Sequence, residues 1–164
     1  MSKDALSILQ TRARQLAERP PDETRARLAL TVFRRAGSFF GFPVSEVEGA
    51  GRLRELSPIP GGASWMAGVI QHRGEVLTLV DLPTFWGNTV PGVADFPTYI
   101  VISNGTLRLG LLVEELYGVR EMENKSVLYE GVERVGLVEV ARLGAEPVMV
   151  LSAKRLLGDA RFQL

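Results

Sequence analysis

The sequence predicts a mainly β protein built as two small antiparallel barrels or half-barrels. Three observations carry that reading. Short runs rich in Val, Ile, Leu, Phe and Tyr recur along the chain, turn signals separate them, and a loop over residues 88–97 holding Pro91, Gly92 and Pro97 divides them into two sets of about five strands. The chain has 164 residues, of which 46% are apolar and 23% charged. A chain of that size buries roughly 70% of its unfolded surface, enough for its own core, and this composition is not that of a disordered segment.

Before the strands, Leu6, Leu9, Ala13 and Leu16 recur at three- and four-residue steps and predict an amphipathic helix over residues 5–18. Ser2 or Asp4 caps its start, and Pro20-Pro21 ends it. Its apolar face packs on the body of the same protein or docks on a partner. It is too short, and lacks the aromatic anchor, for a helix lying on a membrane.

Leu28–Arg34 (LALTVFR) alternates and is rich in strand formers, Arg35-Ala36-Gly37 turns the chain, and Ser38–Phe42 returns it as a hairpin partner. Val44 and Val47 stand three apart, which predicts a helical turn over Pro43–Glu48 closed by Gly49 and Gly51, with a short strand over Arg52–Leu56. Trp65–His72 and Glu75–Leu82 read as two strands joined at Arg73-Gly74. Gly74 suits a turn position with φ above zero, and Arg73 beside it projects a permanently charged planar fork, toward an internal acid or toward a partner. Pro83–Gly87 reads as a helical turn with Asp81 as its cap.

The second set opens with Thr98–Ser103, and Asn104-Gly105 is a strong hairpin signal leading into Thr106–Val113. Glu114–Val119 leaves that strand, and Arg120–Glu123 begins another. Val135–Leu143 and Pro147–Leu151 follow, joined at Gly144. Ser152–Gly158 is a short helix with Ser152 as N-cap and Gly158 just past its end.

Charge and chemistry narrow the function classes. Lys+Arg and Asp+Glu are 19 each, so the net charge is zero. Residues 1–35 are net +4 and the rest net −4. A nucleic-acid role would rest on Arg12, Arg14, Arg19, Arg25 and Arg27, without interleaved aromatic residues and against a net-negative body. With no cysteine and one histidine, His72, the chain has no disulfide, thiolate metal site or multi-histidine centre, and no cofactor or metal is expected. No phosphate-binding loop, dinucleotide fingerprint or nucleophile elbow is present. The adjacent acids Glu114 and Glu115 point opposite ways on a strand and read as solvated. His72 reads as a turn-flanking residue. No catalytic constellation emerges. Met1–Gln10 lacks the apolar stretch of about 7–15 residues of a secretory signal, and Arg108, Glu114 and Glu115 interrupt the richest apolar region. A cytoplasmic protein is the expectation.

Residues 59–82, IPGGASWMAGVIQHRGEVLTLVDL, resemble the signature of the CheW family of chemotaxis coupling proteins. The matching positions are Ile59, Pro60, Trp65 or Met66, Gly68, Val69, Arg73, Gly74, Asp81 and Leu82. Leu28–Val47 is similar to the family's opening hairpin and following helix, Leu109–Glu121 to its second-barrel strand, and Val148–Leu157 to its closing strand and helix. The resemblance spans about residues 28–158. It departs from the family pattern at Gln71-His72 (usually Asn-Leu), at Thr78 and Ala63 (usually Pro), and at Gly49, where an acid that pairs with the arginine often stands; Glu48 and Glu46 are the nearest substitutes.

The resemblance implies two SH3-like five-stranded barrels sharing a core, the first over about residues 28–82 and the second over about 98–151. A closing helix would span about 152–158, with residues 1–27 as an N-terminal helical extension and 159–164 as a tail. It implies a non-enzymatic adaptor joining the cytoplasmic tip of a chemoreceptor to the regulatory domain of a CheA-type histidine kinase, as a monomer or in rings with that kinase. Val47, Gly68 and Arg73 carry over to the receptor side and Leu56 to the kinase side. Gly74 and Asp81 are expected to be structural. An alternative is a scaffold of an accessory chemosensory system that has lost receptor coupling and recruits another partner through the N-terminal helix.

Overall fold

The computed structural model describes residues 27–88, 98–123 and 135–163; the helix expected over residues 5–18 and most of the dividing loop lie outside them. Ten strands form: β1 (Arg27–Arg35), β2 (Ser38–Pro43), β3 (Val47–Arg52), β4 (Met66–His72), β5 (Glu75–Val80), β6 (Thr98–Ser103), β7 (Arg108–Val113), β8 (Glu115–Glu123), β9 (Leu137–Leu143) and β10 (Glu146–Leu151). Two short helices, α1 (Leu82–Phe85) and α2 (Ala153–Leu157), follow β5 and β10, and 3-10 turns occupy Val44–Glu46 and Ala160–Phe162.

The strands make two five-stranded sheets, ordered β8-β1-β2-β10-β9 and β3-β6-β7-β5-β4. Neither sheet is a contiguous stretch of chain, which differs from the expected barrels at 28–82 and 98–151. β1 and β2 leave their sequence neighbours and join β8, β9 and β10. A two-fold pattern explains the exchange. The chain runs twice through a hairpin, three strands and a helix, and each hairpin pairs with the three strands of the other half. The pairings correspond: β2 runs parallel to β10 (Val150 opposite Gly41), and β7 runs parallel to β5 (Leu79 opposite Gly110). All other neighbours are antiparallel. In the first sheet the edge strands β8 and β9 approach each other, so the sheet curls toward a barrel.

Turn chemistry sets two of the hairpins. Ala36 and Gly37 have φ of 51° and 76°, and Arg73 and Gly74 have 49° and 80°. Positive φ at both central residues is the type I′ geometry, whose twist matches paired strands. Only the first position costs strain, because each second position is a glycine.

The main core lies between the sheets. It gathers Phe33, Phe40 and Phe42 with Trp65, Phe85, Ile100, Leu111, Leu151 and Leu156. Each sheet also wraps a smaller core of its own, one around Leu30, Val32 and Val148, the other around Ile70, Leu79, Val101 and Leu112. Strands buried on both faces read as continuous apolar runs, which is why TYIVIS and RLGLLV show little alternation.

Several local expectations are corrected. Gly49 and Gly51 do not close a turn; they lie inside β3, which ends at Arg52, and the rest of the strand expected over Arg52–Leu56 is an irregular segment. Glu115–Glu123 is one strand rather than a departure followed by a new one. Gly158 is the terminal helical cap with a right-handed φ of −76°, so it supplies no left-handed turn. Ser152 does cap α2, its hydroxyl accepting from the Arg155 N–H at 3.3 Å. The expected tail is folded back: Phe162 stacks on Phe85 at 4.6 Å and meets Trp65 edge-on at 5.1 Å.

Candidate functional site

Most of the residues singled out by sequence lie along one seam, where the edge strands β3 and β4 of the second sheet face each other. β3 reads VEGAGR, and its half-buried positions are Val47, Gly49 and Gly51. Two of the three have no side chain, and the space is taken from elsewhere. A Cβ at Gly49 would sit 3.2 Å from His72 Nε2, and one at Gly51 would sit 2.5 Å from the Tyr99 hydroxyl. Close approach rather than φ therefore demands glycine at 51, whereas at 49 a Cβ would fit only if His72 gave by a few tenths of an ångström. His72 Nδ1 and the Tyr99 hydroxyl are hydrogen-bonded at 2.9 Å with the rings edge-on. His72 is 7% exposed and Tyr99 6%. His72 thus flanks the turn as expected, but as a buried member of the seam.

Arg73 follows at the exposed turn, its Nη2 3.9 Å from the same Cβ point at Gly49. The nearby acids are engaged elsewhere. The register of β3 against β6 shifts at Glu48, and this bulged residue pairs with Arg108, which also holds Glu75. Glu46 accepts the Ala153 N–H at 2.8 Å and so closes the start of α2. Neither acid substitutes for the missing one at position 49, and Arg73 has no ion pair among the described residues.

Gly68 and Leu56 meet at the other end of the seam. Ser57 bridges Val69 through backbone hydrogen bonds of 3.1 and 2.8 Å. Gly68 lies beneath that crossing with φ 151°, and a Cβ there would be 2.5 Å from the Ser57 carbonyl and 2.7 Å from Leu56 Cδ1. Val47 and Arg73 share the neighbourhood of Gly49, whereas Gly68 is covered by Leu56, the residue expected on the opposite partner's side. Between the two ends an open cleft of about 350 Å³ is lined by Arg52, Leu53, Arg54, Glu55, Ile70, Gln71 and Tyr99.

Asp81 stands at the N-cap position of α1, but its carboxylate makes no cap to a backbone N–H. It accepts Arg35 Nε and Nη2 at 3.0 and 3.1 Å, and the Thr84 hydroxyl at 2.6 Å. Arg35 Nη1 donates to Glu114 at 3.0 Å, and Glu114 also accepts the Ala36 N–H at 2.7 Å. Glu114 is therefore a half-buried structural acid rather than a solvated one; Glu115 is exposed and accepts the Tyr117 hydroxyl. This network was missed in the sequence. Its one legible signal is parity: Arg35 lies two residues after the core residue Phe33 on the same strand face.

Among the described residues no three His, Asp or Glu side chains gather to hold a metal, and no helix is long and apolar enough to cross a membrane. The seam offers nitrogen donors at its head and a mostly polar cleft with Leu53 and Ile70 in its wall.

The sequence model of the CheW-like domain matches residues 29–161, most of the chain. The chain belongs to the CheW-like family. Members of this family are non-enzymatic scaffolds of signal transduction. The protein PilI of Pseudomonas aeruginosa is 30% identical over 88 residues, which cover 54% of this chain and 49% of that protein. The chain thus spans about half the length of that curated relative. The crystal structure of the scaffolding protein TtCheW from Thermoanaerobacter tengcongensis superposes with a TM-score of 0.71 at 16% identity, covering 84% of this chain and 97% of the other. That likeness shows the fold: the CheW-like domain of this chain has the two five-stranded sheets of its relatives.

Proposed function

We propose that this CheW-like domain is a cytoplasmic adaptor that couples the helical tip of a chemoreceptor to the regulatory domain of a CheA-type histidine kinase. The observation that carries this reading is Arg73. A type I′ turn projects its side chain at the head of the β3–β4 seam, beside Gly49, with no ion-pair partner among the described residues. A fixed cation at the edge of a shallow groove suits a helix bearing apolar and acidic positions. Val47 and Arg73 form the receptor end. Gly68 acts from below, by letting the Leu56–Ser57 segment cross β4. Leu56, half-buried over Gly68, faces the kinase side.

The test is capture from the native lysate with this protein as bait, beside an Arg73→Glu bait, read by mass spectrometry. Receptor and kinase both captured, with the receptor lost from the variant, is the expected result. Kinase without receptor on the wild-type bait overturns receptor coupling and leaves a scaffold with another input, for which residues 1–27 become the next target.

A further inference from the structure

The β3–β4 seam holds two nitrogen groups that converge on one empty position. His72 Nε2 lies 3.2 Å, and Arg73 Nη2 3.9 Å, from the point where a side chain of residue 49 would begin, and residue 49 is glycine. His72 is more than nine-tenths buried, yet its Nε2 has no hydrogen-bond partner among the described residues, since only Nδ1 is engaged, by Tyr99. The Arg73 guanidinium likewise has no ion pair among the described residues: Glu48 and Glu75 are turned to Arg108, and Glu46 to the α2 N-terminus.

We propose that the head of this seam is a carboxylate-binding site, which an Asp or Glu side chain of the helical partner fills by bridging Arg73 and His72 above Gly49. The inference rests on the receptor reading for the identity of the partner, and on this chain's own geometry for the chemistry. The ionised carboxylate has an acceptor oxygen for each nitrogen, and a guanidinium fork matches it in plane. Tautomer choice follows from the ligand. With the Tyr99 hydroxyl donating to Nδ1, the neutral imidazole carries its proton on Nε2 and presents it to the carboxylate. The neighbouring cleft adds Arg52 and Arg54, neither of which has an ion pair among the described residues, against one acid, Glu55, so its lining is net positive and favours an acidic segment.

The experiment is an NMR titration of the full chain with sodium acetate at neutral pH, against sodium chloride of equal ionic strength. The His72 imidazole and Arg73 guanidinium signals are followed in wild type, Gly49→Glu and Gly49→Gln. The expected result is a saturable shift of both side chains with acetate and none with chloride. Gly49→Glu should abolish the response, because its own carboxylate then occupies the site. Gly49→Gln should weaken it by crowding, with the His72 and Arg73 signals near their unliganded positions. No acetate-specific shift in wild type, or an undiminished shift in Gly49→Glu, overturns the proposal. A separate arm measures receptor capture. If acetate binds as described while Arg73→Glu still captures a receptor, the site stands and the receptor reading falls. If capture depends on Arg73 while acetate leaves both side chains unmoved, the reverse holds.

Discussion

Arg35 and Asp81 form a two-pronged buried ion pair, with nitrogen–oxygen distances of 3.0 and 3.1 Å, between the end of β1 and the start of α1. Arg35 is 1% exposed and Asp81 6%. The pair ties the first sheet to the second, and Glu114 adds the β7–β8 junction. Removing one partner strands a buried charge, which costs about 3–5 kcal/mol, whereas replacing both with apolar residues of similar volume is far milder. Asp81→Asn should therefore lower the unfolding free energy by about 3 kcal/mol, and Arg35→Met with Asp81→Leu should recover part of it, since half-buried Glu114 then keeps the Ala36 N–H but loses Arg35. Urea unfolding of the three proteins decides; a single-variant cost below about 1 kcal/mol would show that the pair is not the fastening described.

Gly68→Ala should destabilise through backbone rather than contact loss. The new Cβ would stand 2.5 Å from the Ser57 carbonyl at a φ of 151°. A loss above about 1 kcal/mol is expected, with the Ser57–Val69 bridge opened. Amide exchange at Val69 and Ser57 reports it; unchanged protection would mean the crossing does not depend on the missing side chain.

Tyr99→Phe leaves His72 Nδ1 without its partner in a buried place. The expected cost is about 1–3 kcal/mol, since the stranded group keeps its desolvation penalty. Gly51→Ala should reach the same end differently, by driving a Cβ to within 2.5 Å of the Tyr99 hydroxyl. If both variants melt like wild type, the buried pair does not hold the seam together.

Asp159 gives a pH-dependent contribution of known sign. Its hydrogen bond with the Arg161 side chain holds its carboxyl below the ordinary value of 3.8. A lowered folded value means stability that is present above pH 3.8 and lost as the pH falls through the lowered value. The same arginine lies 3.6 Å over the Phe85 ring and donates to the Phe85 carbonyl, so the C-terminal turn depends on it. Asp159→Asn should be less stable than wild type at neutral pH, and the gap should shrink on acidification. A gap that stays constant with pH would assign the loss to packing instead.

Arg73→Glu, in contrast, should change the melting midpoint little. Surface substitutions away from caps and cores fall within about ±0.5 kcal/mol, and Arg73 is exposed and outside every ion pair of the described residues. A large loss of stability in this variant would turn its effect on capture into a folding effect.

The sequence by itself determined the local grammar of this protein. Alternation and apolar runs placed nearly every strand, Ala36-Gly37, Arg73-Gly74 and Asn104-Gly105 marked hairpins, and Ser152 marked the start of α2, because each of these depends on neighbours a few residues apart. The glycines of β3 were legible only as turn formers, since nothing near them in sequence shows that His72 and Tyr99 fill their space. Tertiary structure alone decided the exchange of hairpins between the two halves. Strand pairing across the molecule is set by which apolar faces bury together, and β1 and β2 present Phe33, Phe40 and Phe42 to the core between the sheets. For the same reason the Arg35–Asp81 pair emerged only in three dimensions, where burial removes water as the competing partner, and so did the approach of buried His72 and exposed Arg73 to Gly49.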